Sequence, residues 1–68
     1  MTFAEKVKYV RGVLLISQKD LAKELGVSNV TINRWENGVI NPSFLTEKKF
    51  EAFCNARGID ISIVIEKD

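Results

Sequence analysis

The sequence predicts a mainly α fold of four to five short helices followed by one C-terminal β-strand. Apolar residues recur at spacings of three and four through the first 58 residues, which is the period of an amphipathic helix. Ser or Thr precedes these runs and glycine closes them, the residue types that cap helix starts and helix ends. Beyond Gly58 the pattern switches to strict alternation with β-branched residues, the signature of a strand. The division expected is a helical domain over 1–58 and a strand or tail over 59–68 that serves dimerisation.

The first helix is expected at about 2–13. Thr2-Phe3-Ala4-Glu5 reads as a capping box, Phe3, Val7, Val10 and Leu14 form one face, and Gly12 weakens the end. Ser17 then caps a second helix at about 18–25, with Asp20 as a first-turn acid and Leu21, Ala22 and Leu25 as its buried stripe. Gly26 ends that helix, and Val27 plugs the turn. Ser28 caps a third helix at about 29–37, stopped by Gly38. Asn41-Pro42-Ser43 reads as a loop, with Ser43 or Thr46 capping a fourth helix that ends at Gly58. Its apolar side is expected from Phe44, Leu45, Phe50, Phe53 and Cys54. In the tail, Ile59, Ile61, Ile63 and Ile65 alternate with Asp60, Ser62, Val64 and Glu66, predicting a strand at about 59–66.

The totals bound the function. Sixty-eight residues with 46% apolar and 28% charged side chains suit one packed domain and argue against disorder. No apolar run approaches the roughly 18 residues of a membrane span, and the start lacks a signal peptide's order. The expected location is the cytoplasm. A single cysteine and no histidine exclude an intrachain disulfide, a Cys/His metal site and a His-based triad. The four glycines lie far apart, so there is no phosphate-cradling loop. An enzyme is therefore not expected, nor a cofactor or metal. Net charge is only +1, with six basic and four acidic residues over 1–42 and four and five over 43–68. Charge permits a nucleic-acid partner without arguing for one.

Spacing says more. Counting from Gln18, Ala22 stands fifth, where two helices must cross closely, and Gly26 ninth, at a sharp turn. Val27, Ile32 and Trp35 stand tenth, fifteenth and eighteenth, all pointing inward. Two short helices joined by such a turn, over 17–38, form a helix-turn-helix unit. With Ile32 and Trp35 inward, Asn29, Val30, Asn33 and Arg34 share the outward stripe. Asn can pair bidentately with adenine, Arg with guanine, and Val can pack on a thymine methyl. The plainer alternative is a solvated face on an ordinary helical hairpin, which the full spacing disfavours.

The stretch Ser17-Gln18-Lys19-Asp20-Leu21-Ala22-Lys23-Glu24-Leu25-Gly26-Val27-Ser28, continuing to Arg34-Trp35-Glu36-Asn37-Gly38 and Pro42, resembles the phage-repressor/Cro family, also called the XRE type. The resemblance covers about residues 3–57. It implies a lambda-repressor-like helix-turn-helix domain and a transcriptional regulator, more specifically a repressor, acting on double-stranded DNA without a cofactor. It implies base-edge contacts from Asn29, Val30 and Arg34, with Asn33 as a neighbour. Phosphate contacts are implied at Gln18, which would at the same time touch the recognition helix, and at Asn37, with secondary ones at Ser17 and Ser28. Arg11, seven residues before Gln18, matches a family arginine that pairs with the acid at Glu36. Two positions depart from the family. Leu15 stands where glycine often closes the first helix, and Val39-Ile40-Asn41 stands where some members carry a basic loop.

A lone strand needs a partner, and an unpaired edge bearing Ile59, Ile61, Ile63 and Ile65 invites aggregation. Pairing with the same strand of a second copy would make a homodimer about a twofold axis, reading half-sites of a pseudo-palindromic operator about 34 Å apart. Alternatively the tail packs on its own helices or meets another protein. A second functional reading is the antitoxin of a toxin–antitoxin pair, or another protein-interaction module. Trp35 is read as core rather than a base-stacking ring, and Cys54 as a buried small hydrophobe rather than a redox sensor. Lys48 and Lys49 are read as a solvated helix start, with phosphate contact the alternative, and Tyr9 has no assigned role.

Overall fold

The computed structural model describes residues 1–60. Four helices follow one another: α1 Phe3–Leu14, α2 Gln18–Leu25, α3 Asn29–Glu36 and α4 Phe44–Ala56. Each starts at a hydroxyl cap whose oxygen accepts a main-chain N–H three residues on: Thr2 from Glu5, Ser17 from Asp20, Ser28 from Thr31 and Ser43 from Thr46. At α1 and α2 the third residue's carboxylate also reaches back to the cap N–H, completing capping boxes. Helices of 8 to 13 residues are marginal alone in water, so these caps and the packing between helices together hold them.

The ends repeat as well. In every helix a residue with left-handed backbone is followed by a β-branched apolar residue whose N–H returns to the carbonyl five positions earlier. The left-handed residues are Leu15, Gly26, Gly38 and Gly58. The returning bonds are Ile16 to Arg11 (3.2 Å), Val27 to Ala22 (3.0 Å), Val39 to Arg34 (2.9 Å) and Ile59 to Cys54 (2.9 Å). This is the Schellman closure, which satisfies orphan carbonyls and sets an apolar side chain against the helix it ends. Ile16, Val27 and Ile59 do pack on the core, whereas Val39 is 66% exposed.

α2 packs on α3, α1 packs on α3, and α4 packs on α2. Between them lie Val7, Val10, Leu21, Ala22, Leu25, Ile32, Trp35, Phe50, Phe53 and Cys54, all buried. Phe3 sits edge-on to both Trp35 (centroids 5.2 Å) and Phe50 (5.3 Å), tying α1 to α3 and α4. Trp35 is thus a core residue.

Several expectations are corrected here. Among the described residues there is no strand, and the helices number four. The expected strand does not begin at Ile59, because that residue is the apolar stop of α4 and packs on the helical core. Ile61, Ile63 and Ile65 lie outside the described residues. α1 runs one residue beyond the expected 13, to Leu14, and closes at Leu15. α3 ends at Glu36 with Asn37 as its cap. Phe44 and Leu45 are not on the apolar side of α4 but 70% and 74% exposed. Counting back from Phe50, positions four and three residues earlier share its face. These are Thr46 and Glu47, which are half-buried.

Candidate nucleic-acid interface

α3 presents two faces. Ile32, Trp35 and Glu36 are buried, while Asn29, Val30, Asn33 and Arg34 are exposed. The exposed four occupy one stripe because they fall at intervals of one, three and one along a helix of 3.6 residues per turn. Neither Asn29 nor Arg34 has a side-chain hydrogen bond or ion pair among the described residues. Both functional ends therefore remain available for bidentate pairing with a base edge. Asn33 differs, since its Oδ1 accepts from Asn37 Nδ2 at 3.1 Å. It can offer an adenine both halves of its amide only by sharing that oxygen. Neither amide alone signals this link; the i,i+4 spacing of 33 and 37 is what brings them together.

The buried end of α3 is anchored by charge. Glu36 is the buried charged residue of the described chain. Its Oε2 accepts from Arg11 Nε at 2.6 Å, and its Oε1 from Arg11 Nη2 and Gln18 Nε2, both at 3.0 Å. Arg11 Nη1 also donates to the Ile16 carbonyl at 3.1 Å. One carboxylate thus gathers α1, the start of α2 and the end of α3. Burial works against the Glu36 charge, but the hydrogen bonds from Arg11 and Gln18, with the positive fields of Arg11 and Lys8, outweigh it and hold the carboxyl below its ordinary range. The bond to Glu36 raises Arg11 further above its already high value. No buried side-chain nitrogen or oxygen among the described residues lacks a partner.

Gln18 is the residue whose place sequence reading leaves half-seen. One Nε2 hydrogen is spent on Glu36, leaving its other N–H for a phosphate at the mouth of α2. Ser17 and Ser28 accept from their own helices at 3.0 and 3.1 Å, so toward a phosphate they can act only as donors. Ser28 is further engaged with the Thr31 hydroxyl at 2.9 Å. Asn37 lies exposed one turn beyond Asn33. The stripe 29–34 and the phosphate candidates therefore surround one exposed helix. Lys48 is occupied elsewhere, 3.3 Å from Glu51 and over the Phe44 ring. Cys54 is fully buried, which pushes its thiol up to about 11. No described group of residues could hold a metal ion, and no helix among them is long and apolar enough to cross a membrane.

A short capped helix, anchored from below and bare on its outer face, following α2 across a turn at Gly26, is the second helix of a helix-turn-helix unit. A helix-turn-helix family profile matches residues 7–61, and the chain belongs to that family, in its XRE-type branch. It is similar to an uncharacterized HTH-type transcriptional regulator, MJ0272, of Methanocaldococcus jannaschii, with 41% identity over 58 residues covering 85% of this chain and 88% of that protein. It is also similar to the HTH-type transcriptional regulator DicA of Escherichia coli, with 37% identity over 43 residues, 63% of this chain and 32% of that protein. No solved structure matches the chain at the significance those two reach. The family and these relatives make the protein a DNA-binding transcriptional regulator.

Proposed function

We propose that this regulator is a sequence-specific repressor that places α3 in the major groove and reads a pseudo-palindromic operator with two copies. The observation that carries the reading is the exposed stripe of Asn29, Val30, Asn33 and Arg34 on a helix fixed by Glu36. Asn29 and Arg34 supply hydrogen bonds to base edges, and Val30, 55% exposed, supplies apolar contact to a thymine methyl. Gln18 and Asn37 hold the flanking phosphates, with Ser17 and Ser28 as lesser donors, and set the register of α3. Repression follows from occupancy of the operator itself, since no further effector domain is needed for that.

The two-copy requirement comes from charge. Net charge is +1, and Val39-Ile40-Asn41 adds no cation beside the reading helix, so a single copy makes few phosphate contacts and binds weakly. Two linked copies multiply those contacts without adding any new kind. The test is selection of binding sites from random duplex DNA with the full chain, at two salt concentrations. An enriched, inverted-repeat motif whose affinity falls with salt is the expected result. Absence of any enriched motif defeats the proposal.

A further inference from the structure

We propose that Asn37 is a positioning residue that makes Asn33 a reader of guanine rather than adenine, by occupying the amide oxygen of Asn33 and leaving its NH2 group to face the base. This rests on α3 entering the major groove, as proposed above, and adds which base one of its positions selects.

Asn33 and Asn37 stand one helical turn apart, both exposed, and two hydrogen bonds join them. The Asn37 main-chain N–H donates to the Asn33 carbonyl at 3.0 Å, and its side-chain Nδ2 donates to Asn33 Oδ1 at 3.1 Å. Asn37 is the cap of α3, at φ −91° and ψ 1°. Beyond it the Gly38 N–H returns to the Trp35 carbonyl at 3.1 Å and the Val39 N–H to that of Arg34 at 2.9 Å. The helix end thus holds the Asn37 backbone, and the amide bond has only side-chain torsions to fix. Asn29 and Asn33 share the same spacing, yet among the described residues no side-chain hydrogen bond joins them. Spacing alone does not make the tether; the cap position does. An exposed amide pair competes with water, but in a groove from which water is displaced the same pair strengthens. A phosphate that accepts the second Nδ2 hydrogen holds the Asn37 amide where it meets Asn33.

The consequence lies in what each purine asks for. A free asparagine amide matches adenine, donating to N7 and accepting from the N6 amino group. Asn29 keeps that match, since its amide has no partner among the described residues. Asn33 does not, because adenine would have to share Oδ1 with the Asn37 donor already seated there. Guanine presents N7 and O6, both acceptors, and asks only for the NH2 group. Two asparagines on one stripe therefore read different purines. Asn37 also differs from a plain phosphate contact, whose loss weakens binding uniformly across sequences.

The test starts from the motif that random-site selection yields with the full chain. The base pair at which Asn33→Ala loses discrimination is the pair this residue reads. Four duplexes differing at that pair alone are titrated with the wild type, Asn37→Ala and the double variant, each checked for folding by circular dichroism. The wild type is expected to bind the duplex carrying guanine at least about fivefold more tightly than the one carrying adenine on the same strand. Asn37→Ala is expected to bind all four more weakly and to lose or reverse that preference. In the Asn33→Ala background the same substitution is expected to weaken all four equally. In the free chain, the Asn37 side-chain amide signal in the NMR spectrum is expected to move on Asn33→Ala. An unmoved signal, adenine matching guanine in the wild type, or a uniform loss in Asn37→Ala overturns the proposal and leaves the DNA reading intact. So does full discrimination at every pair in Asn33→Ala. Absence of any enriched motif instead removes the DNA reading, and the guanine assignment with it.

Discussion

Replacing Glu36 with glutamine removes one charge at the point where three helices meet. In the native chain Glu36 is 7% exposed and Arg11 25%, joined by two hydrogen bonds of 2.6 and 3.0 Å, with Gln18 adding a third at 3.0 Å. Breaking a fully buried ion pair from one side costs about 3–5 kcal/mol. Arg11 reaches water and can rehydrate, so the loss here should be about 2–3 kcal/mol. With a urea slope near 1 kcal/mol/M for so small a domain, the midpoint should fall by about 2–3 M. The pH dependence gives a second signature. The folded carboxyl titrates below its ordinary value of 4.5, so the unfolded chain binds the proton first as pH falls. The stabilisation is therefore complete above that ordinary value and is lost as pH drops toward and through the folded one. The wild-type minus Glu36→Gln difference should shrink across that acidic window and stay constant at neutral pH. A cycle with Arg11→Met should show coupling of at least about 1 kcal/mol. A loss below about 0.5 kcal/mol, or a wild-type minus variant difference that does not change with pH, refutes the clamp.

Leu15→Gly should stabilise the chain by about 0.5–1 kcal/mol, because a left-handed backbone suits glycine and the leucine, 90% exposed at φ 57°, surrenders no packing. Thermal melts should rise by a few degrees, and a fall would contradict the account. Asn29→Ala and Arg34→Ala should each weaken operator binding by about 1–3 kcal/mol with the folding midpoint unchanged. Loss of discrimination at one base pair per variant, read by competition with mutated duplexes, distinguishes base contact from phosphate contact. The Cys54 thiol, held up to about 11 by burial, should resist alkylation at pH 8 in the folded chain and react at the rate of unfolding. Fast native labelling would show the core to be more open than its packing indicates.

Local rules made much of this fold legible, and tertiary ones made the rest hidden. Ser17 and Ser28 announce helix starts because capping needs only three residues of context. Ile32 and Trp35 fix the phase of α3, and with it the outward stripe, because helical period is a property of sequence alone. The left-handed close of α1 is hidden because Leu15 takes a backbone conformation that residue preferences argue against. Phe44 and Leu45 mislead because apolar character outvotes phase when the burying partner is unknown. Ile59 fits an alternating pattern and a helix stop equally well; its hydrogen bond to Cys54 and its core contact decide the matter. Within the candidate site, resemblance pairs Arg11 with Glu36. The resemblance also sets Gln18 against α3, but that it meets Glu36 there, and that Asn33 is tethered to Asn37, depends on side-chain geometry.

The way α3 is bounded has an implication for change. Its start is written at Ser28 and its stop at Gly38 and Val39, while its grip on the domain is written at Ile32, Trp35 and Glu36. None of those positions is on the outward stripe. Asn29, Val30, Asn33 and Arg34 can therefore be exchanged for other helix-compatible residues without moving the helix that carries them. On the proposed reading of α3 as the operator-reading helix, the domain is a type-holder with four removable letters, whose operator could be rewritten at small cost to its stability.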